Sequence, residues 1–169
     1  MTAAIRSAGR AELPRLREIE RAAGKPFAEA GMDRVAYDEP PSLDELRGYL
    51  ASGDVWVAGP AEPVGFLIAE NVDGDLHIAQ VSVHPEHAGQ GIGRNLIEHA
   101  ARVAASRGLP ALSLTTYRDV PWNGPYYRRL GFHELTGSQI TPGLRAIREH
   151  EASIGLDEWP RCCMRMLVS

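Results

Sequence analysis

Gly89, Gly91 and Gly93, spaced two apart, are the residues whose type and spacing most plainly suit chemistry. They follow an apolar, β-branched run from Ile78 to Val83. That run is ended by Pro85, which lacks an N–H and fixes its own φ. From Arg94 onward, Leu96, Ile97, Ala100, Val103 and Ala104 recur at helical spacing on one face. The stretch reads as strand, glycine turn, helix. Glycine N–H groups and the first N–H groups of a helix then point at one spot, where the helix dipole adds positive potential. A phosphate or pyrophosphate is the natural guest, and a tight turn that binds nothing is the plain alternative. The phosphate-loop pattern needs Lys and then Ser or Thr after its last glycine, but Arg94 and Asn95 stand there. The dinucleotide fingerprint fails as well. Its last glycine falls on Arg94 when counted from Gly89, and on Leu96 when counted from Gly91.

The elements around this run can be read from the same rules. Ile5 begins a short strand. Ala11 to Ala23 reads as a helix with Leu13, Leu16, Ile19 and Glu20 around its apolar face, Pro14 in its first turn and Gly24 as its C-terminal cap. Lys25 to Pro41 reads as irregular. Ser42 and Glu45 fit a capping box, opening a helix that aligns Leu43, Leu46 and Leu50. Val55–Ala58, Val64–Glu70 and Leu76–Val83 read as an antiparallel meander, with Asp73-Gly74 as a hairpin turn. Ala111–Thr116 is the next strand. It follows the glycine run through a helix, so it should lie parallel to the strand before that run. Asn123-Gly124-Pro125-Tyr126-Tyr127-Arg128-Arg129-Leu130-Gly131-Phe132 reads as a helix capped by Gly131 and running into a strand at Phe132. Thr141-Pro142 opens a further helix to about Gly155, before a last strand from Arg161 to Val168.

Two of these runs carry a family resemblance. Ala88-Gly89-Gln90-Gly91-Ile92-Gly93 resembles the acyl-CoA-binding signature of the GCN5-related N-acetyltransferases, with Ala88 where that family usually has Arg or Gln. Asn123 to Phe132 resembles the helix-into-strand element of the same family. The resemblance implies an α/β (α+β) fold of three layers. Its central sheet would be mixed, mostly antiparallel, of about six to seven strands, flanked by helices and splayed at an acyl-CoA cleft. It implies one domain over 1–169, with 137–160 as a helical insertion. The implied cofactor is acetyl-CoA, leaving as CoA. The implied reaction is direct transfer of the acetyl group to a primary amine, on a small molecule or a peptide.

Roles follow from the resemblance residue by residue. Tyr127 matches the general acid that protonates the departing sulfur, with Tyr126 facing the core. The backbone of Val81, Ser82 and Val83 matches the strand that pairs with the pantetheine arm. Ala88, Gly89, Gln90, Gly91, Ile92, Gly93 and Arg94 match the pyrophosphate cradle. His87 and Arg94 are candidates to compensate for Ala88. Asn123 matches a hydrogen-bonding contact to the cofactor arm, and a plain helix cap is its other reading. Many members carry a glutamate where this chain has Gln80, which cannot take a proton. His77 is then a candidate base, titrating in the right range but on the opposite face of the strand from Gln80, and Glu70 or a water relay are others. A non-catalytic acyl-CoA-binding regulatory module and an acyltransferase using a longer acyl-CoA are the rival functions.

Composition narrows the classes. A length of 169 residues suits one domain with a real core. The net charge of −4 and the absence of a basic stripe argue against a nucleic-acid partner. No apolar run is of membrane-spanning length, and the amino terminus has no leader-like core. Cys162 and Cys163 are adjacent in a strand, where neighbours point to opposite faces, so no bond between them is expected. No metal-ligand spacing is present. The expectation is a cytoplasmic enzyme, with no membrane partner and with a homodimer left open.

Overall fold

The computed structural model describes residues 4–168. Met1–Ala3, part of the leader reading, lie outside them. In chain order the elements are β1 (Ile5–Ser7), α1 (Leu13–Ala23), α2 (Lys25–Glu29), α3 (Asp33–Ala36), α4 (Leu43–Ser52), β2 (Asp54–Ala58), β3 (Gly65–Val72) and β4 (Asp75–Val83). Then follow α5 (Ile92–Ser106), β5 (Ala111–Tyr117), α6 (Gly124–Leu130), β6 (His133–Leu135), α7 (Pro142–Ser153) and β7 (Arg161–Leu167).

The strands form one mixed sheet in the order β1-β2-β3-β4-β5-β7-β6, with helices flanking it. β1 and β2 are antiparallel with Ile5 opposite Ala58, and β2 and β3 with Val55 opposite Ile68. The one parallel pairing among these is β4 with β5, registered at Leu76↔Leu112 and His77↔Ser113, as the intervening helix requires. β7 inserts between β5 and β6, antiparallel to both, with Thr116 opposite Cys162 and Leu135 opposite Cys163. The hairpin turn between β3 and β4 has φ 51° at Asp73 and 87° at Gly74, the paired positive values of a type I′ turn.

The chain divides into two compact units. One comprises the stretch up to Glu70 together with Gln80–His99. Its core holds Leu13, Leu16 and Ile19 of α1, Leu46 of α4 and Phe66, Leu67 and Ile68 of β3, all essentially inaccessible. Each such side chain contributes about 1.5–3 kcal/mol by leaving water. The other unit comprises Asn71–Ala79 together with the stretch from Ala100 on. In it Leu135, Leu144 and Cys163 form a cluster covered by Val72, Ile140 and Ile147. The amino end of α7 sits over the hairpin turn, where Asp73 Oδ2 accepts the Gly143 N–H at 2.7 Å. Among the described residues, no helix is long and apolar enough to cross a membrane, and no group of His, Cys, Asp and Glu could hold a metal ion.

One local reading is corrected. Gly24 caps α1 at its C-terminus as expected, in a right-handed conformation with φ −73° and ψ −22° that leads straight into α2. It is glycine because the Ala36 carbonyl oxygen lies 2.5 Å from where a Cβ would be. The stretch from Lys25 to Pro41 is accordingly not irregular throughout, since it holds α2 and α3. Both are shorter than two turns and lack a side-chain cap, which leaves no periodic signal to read. The Ser42 capping box is present as expected, with the Glu45 N–H donating to Ser42 Oγ at 3.1 Å and the Ser42 N–H to Glu45 Oε1 at 3.4 Å.

Candidate active site

The glycine run stands in the first unit. After β4, a single 3₁₀ turn (Pro85–His87) delivers the chain to Ala88, which is extended at φ −64° and ψ 151°. Gly89 and Gly91 are left-handed, with φ 76° and 77°, and a Cβ added at either would meet nothing within 4 Å. Glycine is therefore required there for the backbone, and the space beside the loop is open. The first bond of α5 runs from the Asn95 N–H to the Gly91 carbonyl at 2.9 Å, so the N–H groups of Ile92, Gly93 and Arg94 have no acceptor within the helix. Ala88, Gly89, Gln90 and Gly91 are exposed, whereas the Ile92 side chain is buried and anchors the loop. Gly65 of β3 makes room for that anchor. A Cβ at Gly65 would stand 3.1 Å from Ile92 Cγ2 and 3.2 Å from the Ser82 carbonyl oxygen.

Arg94, one of the two candidate compensators for Ala88, pairs with Glu98 at 3.0 Å on the exposed face of α5. Such i,i+4 pairs contribute only about 0.3–0.5 kcal/mol, so a phosphate can compete for the guanidinium at little cost. His87, the other, lies 6.4 Å ring to ring from His84, whose Nδ1 accepts the Glu86 N–H at 3.2 Å.

The same unit contains a polar cluster between α1 and β4. Gln80 and Ser82 share a face of β4, and both reach Glu20. Ser82 Oγ donates to Glu20 Oε2 at 2.5 Å, and Gln80 Nε2 donates to the same oxygen at 3.0 Å and to Ser82 Oγ at 2.9 Å. Burial, with Asp38 adding a like charge, pushes the Glu20 carboxyl above the usual carboxylate range, and the Ser82 bond only partly opposes this. Glu20 carried no chemistry in the sequence reading. Its signal was its place in the apolar stripe of α1, with Leu13 and Leu16.

In the second unit His77 is 3% exposed, and its Nδ1 lies 2.9 Å from Ser113 Oγ across the β4–β5 ladder. Burial brings its pKa down to about 4, with Glu151 opposing weakly, so the ring is neutral at neutral pH and holds a proton poorly. His77 thus bonds Ser113, whereas Glu20 bonds Gln80 and Ser82.

Tyr127 lies on α6, whose start is fixed by the close approach of Gly124 to the Arg118 carbonyl. Gly131 ends α6 in a left-handed conformation at φ 113°, and the Phe132 N–H returns to the Tyr127 carbonyl at 3.0 Å. The Tyr127 ring is 8% exposed, edge-on to Tyr126 at 5.4 Å and to Phe132 at 5.7 Å. Burial pushes its phenol well above the usual value, so the hydroxyl keeps its proton at any ordinary pH. The expectation that Tyr126 faces the core is reversed. Tyr127 is the more buried of the two, and Tyr126 lies under the Arg129 guanidinium at 5.9 Å. Asn123 makes no side-chain cap to α6. Its Nδ2 donates to the Trp122 carbonyl at 3.1 Å, while its Oδ1 is buried with no hydrogen-bond partner. An orphaned buried acceptor is costly unless a ligand N–H completes it.

The chain is similar to several known proteins. Residues 51–134 match the family described as acetyltransferase (GNAT) domain. The chain is 33% identical over 101 residues to the peptidyl-lysine N-acetyltransferase YjaB of Salmonella typhimurium, covering 58% of this chain and 63% of that protein. It therefore spans less than two thirds of that relative's length. Over 99% of both chains it superposes on the PaiA N-acetyltransferase of Thermoplasma acidophilum, solved with coenzyme A, with a TM-score of 0.71 at 17% identity. The ribosomal-protein-S18-alanine N-acetyltransferase of Escherichia coli superposes with a TM-score of 0.69 at 20% identity, over 99% of this chain and 95% of that one. These two likenesses establish the fold.

Proposed function

We propose that this chain, which belongs to the GNAT acetyltransferase family, moves an acetyl group from acetyl-CoA directly to a primary amine. The observation that carries the reading is the loop of left-handed Gly89 and Gly91, open to solvent and leading into the free N–H groups of α5. Such a cradle suits a pyrophosphate and needs no side chain at Ala88. The orphaned Asn123 Oδ1 fits the amide N–H of a pantetheine arm. When bound, acetyl-CoA supplies an activated thioester.

The chain's own residues then have these tasks. Gly89 to Arg94 hold the phosphates through backbone N–H groups, with Arg94 adding charge. The backbone of Val81, Ser82 and Val83 orients the arm. Tyr127, always protonated, holds the proton that the sulfur takes on leaving. A peptidyl lysine is the first acceptor to test, because that is the acceptor in the name of the curated relative. A cytoplasmic setting belongs to the same reading.

The test is thermal unfolding with and without acetyl-CoA, followed by an amine screen that detects free thiol. A ligand at a hundred times its Kd stabilises by about 2.7 kcal/mol, a rise of roughly 5–10 °C for a chain of this size. No shift at millimolar acetyl-CoA would overturn the reading. A shift without turnover on any amine would make the chain an acyl-CoA-binding module instead.

A further inference from the structure

We infer that Glu20 is the group that takes the proton from the acceptor amine. This rests on the acetyl-transfer reading above and adds to it the base that β4 does not carry, since neither Gln80 nor Ser82 can accept a proton at neutral pH.

The argument begins with how buried carboxylates are treated elsewhere in this chain. Asp75 is neutralised by Arg165, at 2.7 Å to Nε and 3.1 Å to Nη2. Glu151 is neutralised by Arg148 at 2.9 Å and by Arg161 at 3.0 Å. Those are structural pairs, in which a charge removed from water is matched by an opposite one. Glu20 is held differently, because its partners, Ser82 and Gln80, are both neutral. The charged group that acts on it, Asp38, follows α3 and repels its negative charge. The nearest arginines on its own helix, Arg17 and Arg21, reach Glu39, at 3.5 Å and 3.3 Å. From β4, only the neutral Gln80 and Ser82 are bonded to it. Among the described residues Glu20 is thus a half-buried carboxylate bonded to neutral partners and set beside a like charge, which is a cost to the fold, and such costs concentrate at sites that handle protons.

The geometry also suits the task. Ser82 and Gln80 both donate to Oε2, so they hold the carboxylate in one orientation, and a proton taken up at Oε1 breaks neither bond. Glu20 is thereby tied to the stretch of β4 whose backbone orients the acyl arm. Two carboxylates, Glu20 and Asp38, also favour an acceptor that arrives as an ammonium ion.

The step balances as follows. The ammonium gives one proton to Glu20 Oε1 and becomes a neutral amine. Its lone pair forms the N–C bond to the acetyl carbon, and the C–S bond breaks with its electron pair going to sulfur. The new amide nitrogen gives up its surplus proton, the departing sulfur takes one up, and Glu20 releases its own to water.

The experiment is the pH dependence of kcat/KM for the full chain with acetyl-CoA and a lysine peptide, for wild type and Glu20→Gln. Positioned general bases contribute about 10²–10⁴-fold, so Glu20→Gln should lose at least about a hundredfold at neutral pH. It should also lose the acidic limb of the profile, while the thermal shift with acetyl-CoA stays intact. An unchanged profile in Glu20→Gln overturns the inference and leaves acetyl transfer standing.

Wild type alone provides a second test should the variant not fold. With a less basic amine, such as a peptide bearing S-aminoethylcysteine, the acidic limb should stay where the lysine peptide puts it. A limb that moves with the amine's own pKa means that the amine sheds its proton unaided, which also overturns the role. If wild type binds acetyl-CoA but acetylates no amine, the reaction is lost and this role with it.

Discussion

Tyr127 and His77 are both buried and both neutral at pH 7, yet burial leaves them with opposite capacities. A phenol pushed upward keeps its proton throughout the neutral range. Tyr127→Phe should lower kcat with little change in acetyl-CoA affinity, measured by steady-state kinetics beside thermal shift. The His77 imidazole, with a pKa of about 4, cannot usefully hold a proton near pH 7. It instead makes stability depend on pH. The unfolded chain binds a proton at His77 below its ordinary pKa near 6.5, and the folded chain does so only near pH 4. Stability is therefore full above pH 6.5 and falls as pH drops toward 4, by roughly 3 kcal/mol in all. His77→Gln should flatten that slope in urea unfolding measured across this window. In Cys162, 4% exposed, the thiol is pushed up to about 11, which makes it inert to thiol reagents until the fold opens.

Among the elements, the one joining β4 to α5 depends most on its glycines. Gly91→Val puts a β-branched side chain at φ 77°, where such residues are strained, and the loop must change shape to relieve it. Acetyl-CoA binding should be lost in calorimetry while the far-UV spectrum of the fold is kept. Gly65→Val tests the same element from β3, because its side chain would drive Ile92 and the Ser82 carbonyl away from their places. Weaker acetyl-CoA binding is expected there too, with Ala88 to Gly91 themselves untouched. This element was legible because its signals are local: a β-branched run, a proline, spaced glycines and an apolar helical face. α2 and α3 were not legible, because Gly24 is chosen by the Ala36 carbonyl above it rather than by its neighbours in sequence.

At the scale of the whole molecule, sheet order follows from connection rules wherever neighbours in sequence are neighbours in space. The β2–β3–β4 meander and the parallel β4–β5 pair were readable on that ground. The insertion of β7 between β5 and β6 was not, because nothing in Arg161–Leu167 specifies which edge it joins. The sequence by itself determined the periodic elements, the glycine cradle, the capping box and the hairpin turn, since each depends on residues a few positions apart. Only the tertiary structure decided which polar residues meet. Glu20 stands 60 and 62 positions from Gln80 and Ser82, and His77 stands 36 from Ser113. Local propensity does not encode such separations. Burial and long-range packing decide them, and here they made His77 a neutral core residue and set Glu20 against two neutral side chains, Gln80 and Ser82.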